Sequence, residues 1–86
     1  MKRTRYTIDL SGVTDAPAFH ARLRATLPLP DCYGNNLDAL YDVLTEFGAA
    51  WTLFFRGTPP QGVREVCEDA MAETPGLVVK FIVSRA

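Results

Sequence analysis

Ala49-Ala50-Trp51-Thr52-Leu53-Phe54-Phe55 is a continuous apolar run, AAWTLFF, in which polar and apolar residues do not alternate. A run this short, rich in aromatic residues and bounded by Gly48 and Gly57, reads as a strand buried on both faces, as in a parallel sheet. On its N-terminal side, Leu37, Leu40, Leu44 and Phe47 recur at helical spacing, so a helix is predicted from about Leu37 to Phe47. Asn35 or Asn36 is placed to cap its start and Gly48 its end. On the C-terminal side come a Gly/Pro loop (Gly57, Pro59, Pro60, Gly62) and a second amphipathic helix over about Gln61 to Glu73, with Val63, Val66, Cys67, Ala70 and Met71 inward. Pro75-Gly76 breaks that helix, and Leu77 to Val83 (LVVKFIV) forms the last strand.

The N-terminal third completes the pattern. Tyr6 to Leu10 reads as a short strand ended by Ser11-Gly12. Thr14 and Asp15 are N-cap candidates for a helix with Pro17 in its first turn. Ala16, Phe19, Leu23 and Leu27 form its apolar stripe, Arg22 and Arg24 its polar side, and Pro28 and Pro30 stop it. The expected fold is therefore α/β: a small three-stranded parallel sheet packed with helices, in the order β-α-α-β-α-β. At 86 residues the whole chain, 1–86, reads as a single domain. Hydrophobic residues at 48% disfavour disorder, and no apolar run approaches the ~18–20 residues that span a bilayer.

The net charge is −1, which argues against a nucleic-acid binder. That average hides an asymmetry. Between Arg24 and Arg56 there is no Lys or Arg, while Asp31, Asp38, Asp42 and Glu46 give the interval a charge of −4. Lys2, Arg3 and Arg5 are read as a solvated basic tail. Cys32 and Cys67 are too few for a disulfide scaffold and, with only His20 beside them, do not suggest zinc; two free thiols in a cytoplasmic protein are expected, Cys67 in the core. Asp9 interrupts what would be the apolar region of a signal peptide. His20 reads as structural, and Trp51, Phe54 and Phe55 as core rather than as a stacking platform.

The residues that could carry chemistry are Asp38, Asp42 and Glu46, spaced four apart on one helix face. Like charges at this spacing slightly destabilise a helix, and only Asp38 lies near the N-terminus, where the macrodipole offsets the penalty. From spacing alone, the row is a solvated face. Three functional readings compete with that: an acid/base pair, a hard-cation site and a docking face for a cationic protein pocket. Catalytic pairs sit in clefts, which a single exposed helix face does not provide. Calcium and magnesium sites want more oxygen ligands, usually on a loop, and no D-x-D-x-D-G pattern occurs. Arginine binds carboxylates and phosphates through the same paired hydrogen bonds, so carboxylates on a docking face can stand in for phosphates. No P-loop, Rossmann or G-x-S-x-G pattern is present and no cofactor is implied.

The stretch from Leu27 to Phe47, LPLPDCYGNNLDALYDVLTEF, resembles the barstar family of intracellular ribonuclease inhibitors. Pro30, Tyr33, Gly34, Asn36, Leu37, Asp38, Ala39, Leu40 and Asp42 stand at matching positions, and the order of elements is the family's along nearly the whole chain. The resemblance implies a stoichiometric inhibitor, not an enzyme. Its loop and acidic helix would plug a small, basic, secreted guanyl-preferring ribonuclease of the barnase type. Asp42 would enter the phosphate site, and Asp38 would make a charged contact nearby. Gly34 would allow close backbone approach, and Asn36 and Leu37 would lie in the contact patch. Asp69, on the next helix, falls where the family has a contacting glutamate. Cys32 stands where barstar has a tyrosine, and Tyr41 where it has a tryptophan. Glu46 has no acidic counterpart there, and the segment from Phe55 to Gln61 is too short for barstar's extra small helix. The expected partner surface is thus Cys32, Tyr33, Gly34, Asn35, Asn36, Leu37, Asp38, Tyr41, Asp42, Glu46 and Asp69, on a protein that is monomeric when free and contacts neither nucleic acid nor membrane. An immunity or interaction module of the same fold against another toxin is the alternative. An enzyme using the carboxylate pair, the third possibility, would turn over without any partner.

Overall fold

The structure, a computed structural model, describes residues 3–82. Its elements are β1 (Thr4–Asp9), α1 (Ala16–Thr26), α2 (Leu37–Phe47), a 3₁₀ turn (Gly48–Ala50), β2 (Trp51–Arg56), α3 (Val63–Glu73) and β3 (Val78–Ile82). The three strands form one parallel sheet in the order β1-β2-β3. Both the α/β class and the β-α-α-β-α-β order are as the sequence implies. Lys2 and Val83, expected in the basic tail and the last strand, lie outside the described residues.

The central strand is buried differently from the expectation. Its register pairs Ile8, Phe55 and Phe81 across the sheet, and Phe55 stacks between Phe19 of α1 (centroids 5.9 Å apart) and Phe81 (5.2 Å). Offset stacking of this kind adds to the area the rings bury. The Arg64 guanidinium of α3 closes this stack from above Phe81, 4.5 Å from the ring centroid. The helices therefore lie on the Phe55 side. On the other side the rows Thr7–Phe54–Lys80 and Asp9–Arg56–Ile82 face outward. Thr7, Lys80 and Arg56 are exposed, Ile82 is 46% exposed and Phe54 is half-buried. A sheet with helices on one face only cannot bury β2 on both, so Phe54 is not a core residue. Instead, the Arg5 guanidinium lies 5.5 Å from its ring centroid. Arg3, exposed as expected of the tail, is nonetheless held, donating to Trp51 O (3.2 Å), Thr52 Oγ1 (3.2 Å) and Gly76 O (2.6 Å).

Several boundaries move for local reasons. β1 begins two residues earlier than expected because Thr4 and Arg5 pair with Trp51 and Thr52. Ala49 and Ala50 belong to the 3₁₀ turn that follows the Gly48 cap, so β2 starts at Trp51. Gly62 at φ 90° is the N-cap of α3, which begins at Val63 rather than Gln61. In α1, Asp15 is the cap, its carboxylate accepting from Ala18 N (3.0 Å). Ala16 is exposed, and His20 takes the inward place beside Phe19, Leu23 and Leu27. In α2 the inward residues are Leu40, Val43 and Leu44, and Phe47 is 49% exposed. Cys67 is buried as expected, and burial pushes its thiol pKa up to about 12.

Candidate partner-binding site

The segment Pro28–Asn36 connects α1 to α2 and is held by side chains from α1. Tyr33 turns inward and is 4% exposed. Its hydroxyl lies 2.7 Å from Nδ1 of buried His20. Burial lowers the His20 pKa and raises that of Tyr33 to about 12, so both shifts favour the neutral forms of the pair, and the imidazole tautomer sets which of the two donates. The Tyr33 side chain is therefore largely core, although the residue still lines the groove beside α2. On the loop's outer side, Arg24 donates to Tyr33 O (2.8 Å) and Asn35 Oδ1 (3.0 Å). Asn35 has φ 56°, a left-handed conformation that asparagine tolerates better than most residues. Asn36 is the N-cap of α2, its side-chain oxygen accepting from Ala39 N (2.8 Å). This hydrogen bond satisfies one of the unpaired amides at the helix start and sets the direction in which α2 leaves the loop.

Cys32, Gly34, Asn35, Asn36, Asp38, Asp42, Glu46 and Asp69 are exposed, while Leu37 and Tyr41 are half-buried. Cys32, Gly34, Asp42 and Glu46 come together with Phe47 along a groove of about 240 Å³ between the loop and α2. Asp69 is exposed on α3, which packs against α2, but it does not line the groove. The side-chain hydrogen bonds of α2 run from Asn36 and Thr45 to the backbone. Among the described residues, none engages the three carboxylates. Nor do the described residues bring three or more His, Cys, Asp or Glu side chains together as a metal site, and none of their helices is long and apolar enough to cross a membrane.

The sequence reading missed three parts of this arrangement. Phe47 shares the helical spacing of Leu37, Leu40 and Leu44 yet is 49% exposed, and Val43 is buried instead. The partnership of His20 with Tyr33 joins residues 13 apart across a loop, and no spacing rule reveals it. Arg24 carried only the signal of a cation in the last turn of α1.

Fold and site together define an α/β domain that presents an acidic helix and an adjoining loop, with its helices layered on one side of a parallel sheet. The sequence profile of the barstar family, described as barstar (barnase inhibitor), matches residues 4–75, and the chain belongs to that family. No curated protein matches the chain. The family is one of inhibitors rather than enzymes, which points to an inhibitor-like, protein-binding function.

Proposed function

We propose that this protein is a stoichiometric inhibitor of a small secreted guanyl-preferring ribonuclease, kept in the cytoplasm as an immunity protein that protects the producing cell. One observation carries the reading. Asp38, Asp42 and Glu46 are exposed and free of hydrogen bonds among the described residues, beside a braced loop, in the stretch that has no lysine or arginine. Asp42 enters the enzyme's phosphate site in place of an RNA phosphate, and Asp38 meets a neighbouring cation. Arginine in such a site binds either anion through the same forked hydrogen bonds. An acidic face opposite a basic enzyme also speeds encounter, most at low salt; the barnase–barstar pair is itself a reference case for this effect. The loop, the outer half of α2 and Asp69 supply a surface of the order of a standard interface, about 800 Å² per partner.

The protein is monomeric when free and needs no cofactor or direct nucleic-acid contact. The groove lining favours a target different from barnase itself. Cys32 stands where barstar has a tyrosine and Glu46 has no acidic counterpart there, so the same fold here suits another basic toxin. Titration of several guanyl-specific ribonucleases with the protein tests the proposal. Activity should fall linearly to zero at one equivalent for at least one enzyme, and Asp42→Ala should abolish the sharp end point. Undiminished activity of every enzyme, or equal inhibition by the variant, contradicts it.

A further inference from the structure

We infer that Arg24 is a positioning residue for the partner site: one guanidinium, reaching from α1, locks the binding loop in its docking shape. The inference rests on the inhibitor reading above for its functional half, while its structural half stands alone. Three contacts carry it. Arg24 Nη2 donates to Tyr33 O (2.8 Å), Nε donates to Asn35 Oδ1 (3.0 Å), and the guanidinium carbon lies 5.6 Å from the centroid of the Tyr33 ring. The planar fork thus holds a backbone carbonyl and a side-chain carbonyl two residues apart, on either side of Gly34. It also secures Asn35 in its left-handed conformation (φ 56°), immediately before the Asn36 cap that aims α2.

The geometry demands arginine. A lysine ammonium is a compact point charge on a flexible stem; it reaches one acceptor at a time and cannot stack its plane on a ring. The Arg24 positive charge, by contrast, works against docking, because a cation beside an acidic face repels a basic enzyme. A residue of the wrong sign for the partner, making three contacts with the loop, is placed for shape. Holding a loop in its bound conformation lowers the ordering cost of association, and among variants of one interface such gains show mostly in dissociation.

The two roles predict opposite signs. If Arg24 acted only as a charge, Arg24→Ala would bind a basic ribonuclease faster and more tightly, and Arg24→Lys would match the wild type. Positioning predicts that both variants dissociate roughly tenfold faster, the loss expected for about 1.4 kcal/mol, with association unchanged or slightly faster for Arg24→Ala. Stopped-flow association and dissociation with the guanyl-specific ribonuclease that the titration selects measure this. Amide hydrogen exchange at residues 33–36 of the free protein runs in parallel and needs no partner. Faster exchange there in both variants, with α3 and β2 protection unchanged, supports the clamp. Wild-type exchange in Arg24→Ala, or full rescue by Arg24→Lys in either measurement, overturns it. A wild type that binds none of the guanyl-specific ribonucleases tells against the target class, and the exchange result still decides the clamp.

Discussion

On the outer face of the sheet two of the cations, Arg3 and Arg5, are tied into the fold. Arg3 bridges Trp51 O, Thr52 Oγ1 and Gly76 O, and Arg5 lies over Phe54. On α2 the acids are placed the opposite way: Asp38, Asp42 and Glu46 point outward, and none accepts a hydrogen bond among the described residues. A chain with a net charge of −1 thus uses two cations to staple one side and, among the described residues, leaves the carboxylates of α2 unpaired on the other. Unpaired like charges along one helix slightly oppose folding. Substitutions on the sheet side should therefore move stability, and those on the α2 side should move affinity.

The largest expected effect tests the stable half. Phe55→Ala removes a ring that is fully buried between Phe19 and Phe81 and should cost about 3–5 kcal/mol of stability by denaturant unfolding. A loss below ~1 kcal/mol would mean that this stack is not the core. Next, Asp42→Ala should weaken ribonuclease binding by about 2–5 kcal/mol, mainly through faster dissociation, in line with losses at desolvated charge pairs; the barnase–barstar interface is one of the systems on which that range rests. Its melting temperature should stay at or slightly above that of the wild type. A fall in stability comparable to the loss in affinity would erase the distinction between the two sides.

The hydrogen bond between His20 and Tyr33 is where the two halves meet, since it ties the binding loop to the core. Tyr33→Phe leaves Nδ1 of His20 buried without its hydrogen-bond partner and should cost about 1–3 kcal/mol. The pH dependence has a definite sign. Burial holds the folded-state pKa of His20 below its ordinary value of 6.5, so the unfolded chain protonates first. Stability from this group is complete above 6.5 and is lost as pH falls from there toward the folded-state pKa. Cys67 acts at the other end. Its thiol pKa rises from 9.0 to about 12 on folding, so its contribution is present below pH 9 and declines above it. Thermal melts from pH 4 to 10 check both limbs, and His20→Gln should flatten the acid one. The smallest effect is on α2 itself: Glu46→Gln removes a like charge four residues from Asp42 and should stabilise the free protein by about 0.2–0.5 kcal/mol.

The sequence shows where its own signals stop. The bounds of α2, Leu37–Phe47, were legible to the residue, because Asn36, Gly48 and a strong apolar stripe mark them locally. The order of strands and helices was legible for the same reason. The open face of the sheet was not: AAWTLFF carries no alternation, since Phe54 substitutes for the polar residue that an outward position usually holds, with Arg5 laid across it. Of the site, the acids and the loop could be read from charge and turn chemistry. The inward turn of Tyr33, the outward turn of Phe47 and the grip of Arg24 could not, because each depends on contacts across the chain or on which residues of a helix end up facing its neighbours.

Mapping a bound ribonuclease onto the chain tests the central claim most directly. Amide chemical shifts of the labelled protein, followed while barnase or a related guanyl-specific enzyme is added, report which face is covered. The account predicts saturation at one equivalent, with perturbations concentrated in residues 31–47 and at Asp69 and little change at Thr7, Phe54 and Lys80. Perturbations centred on that outer sheet face, with α2 unmoved, would contradict it.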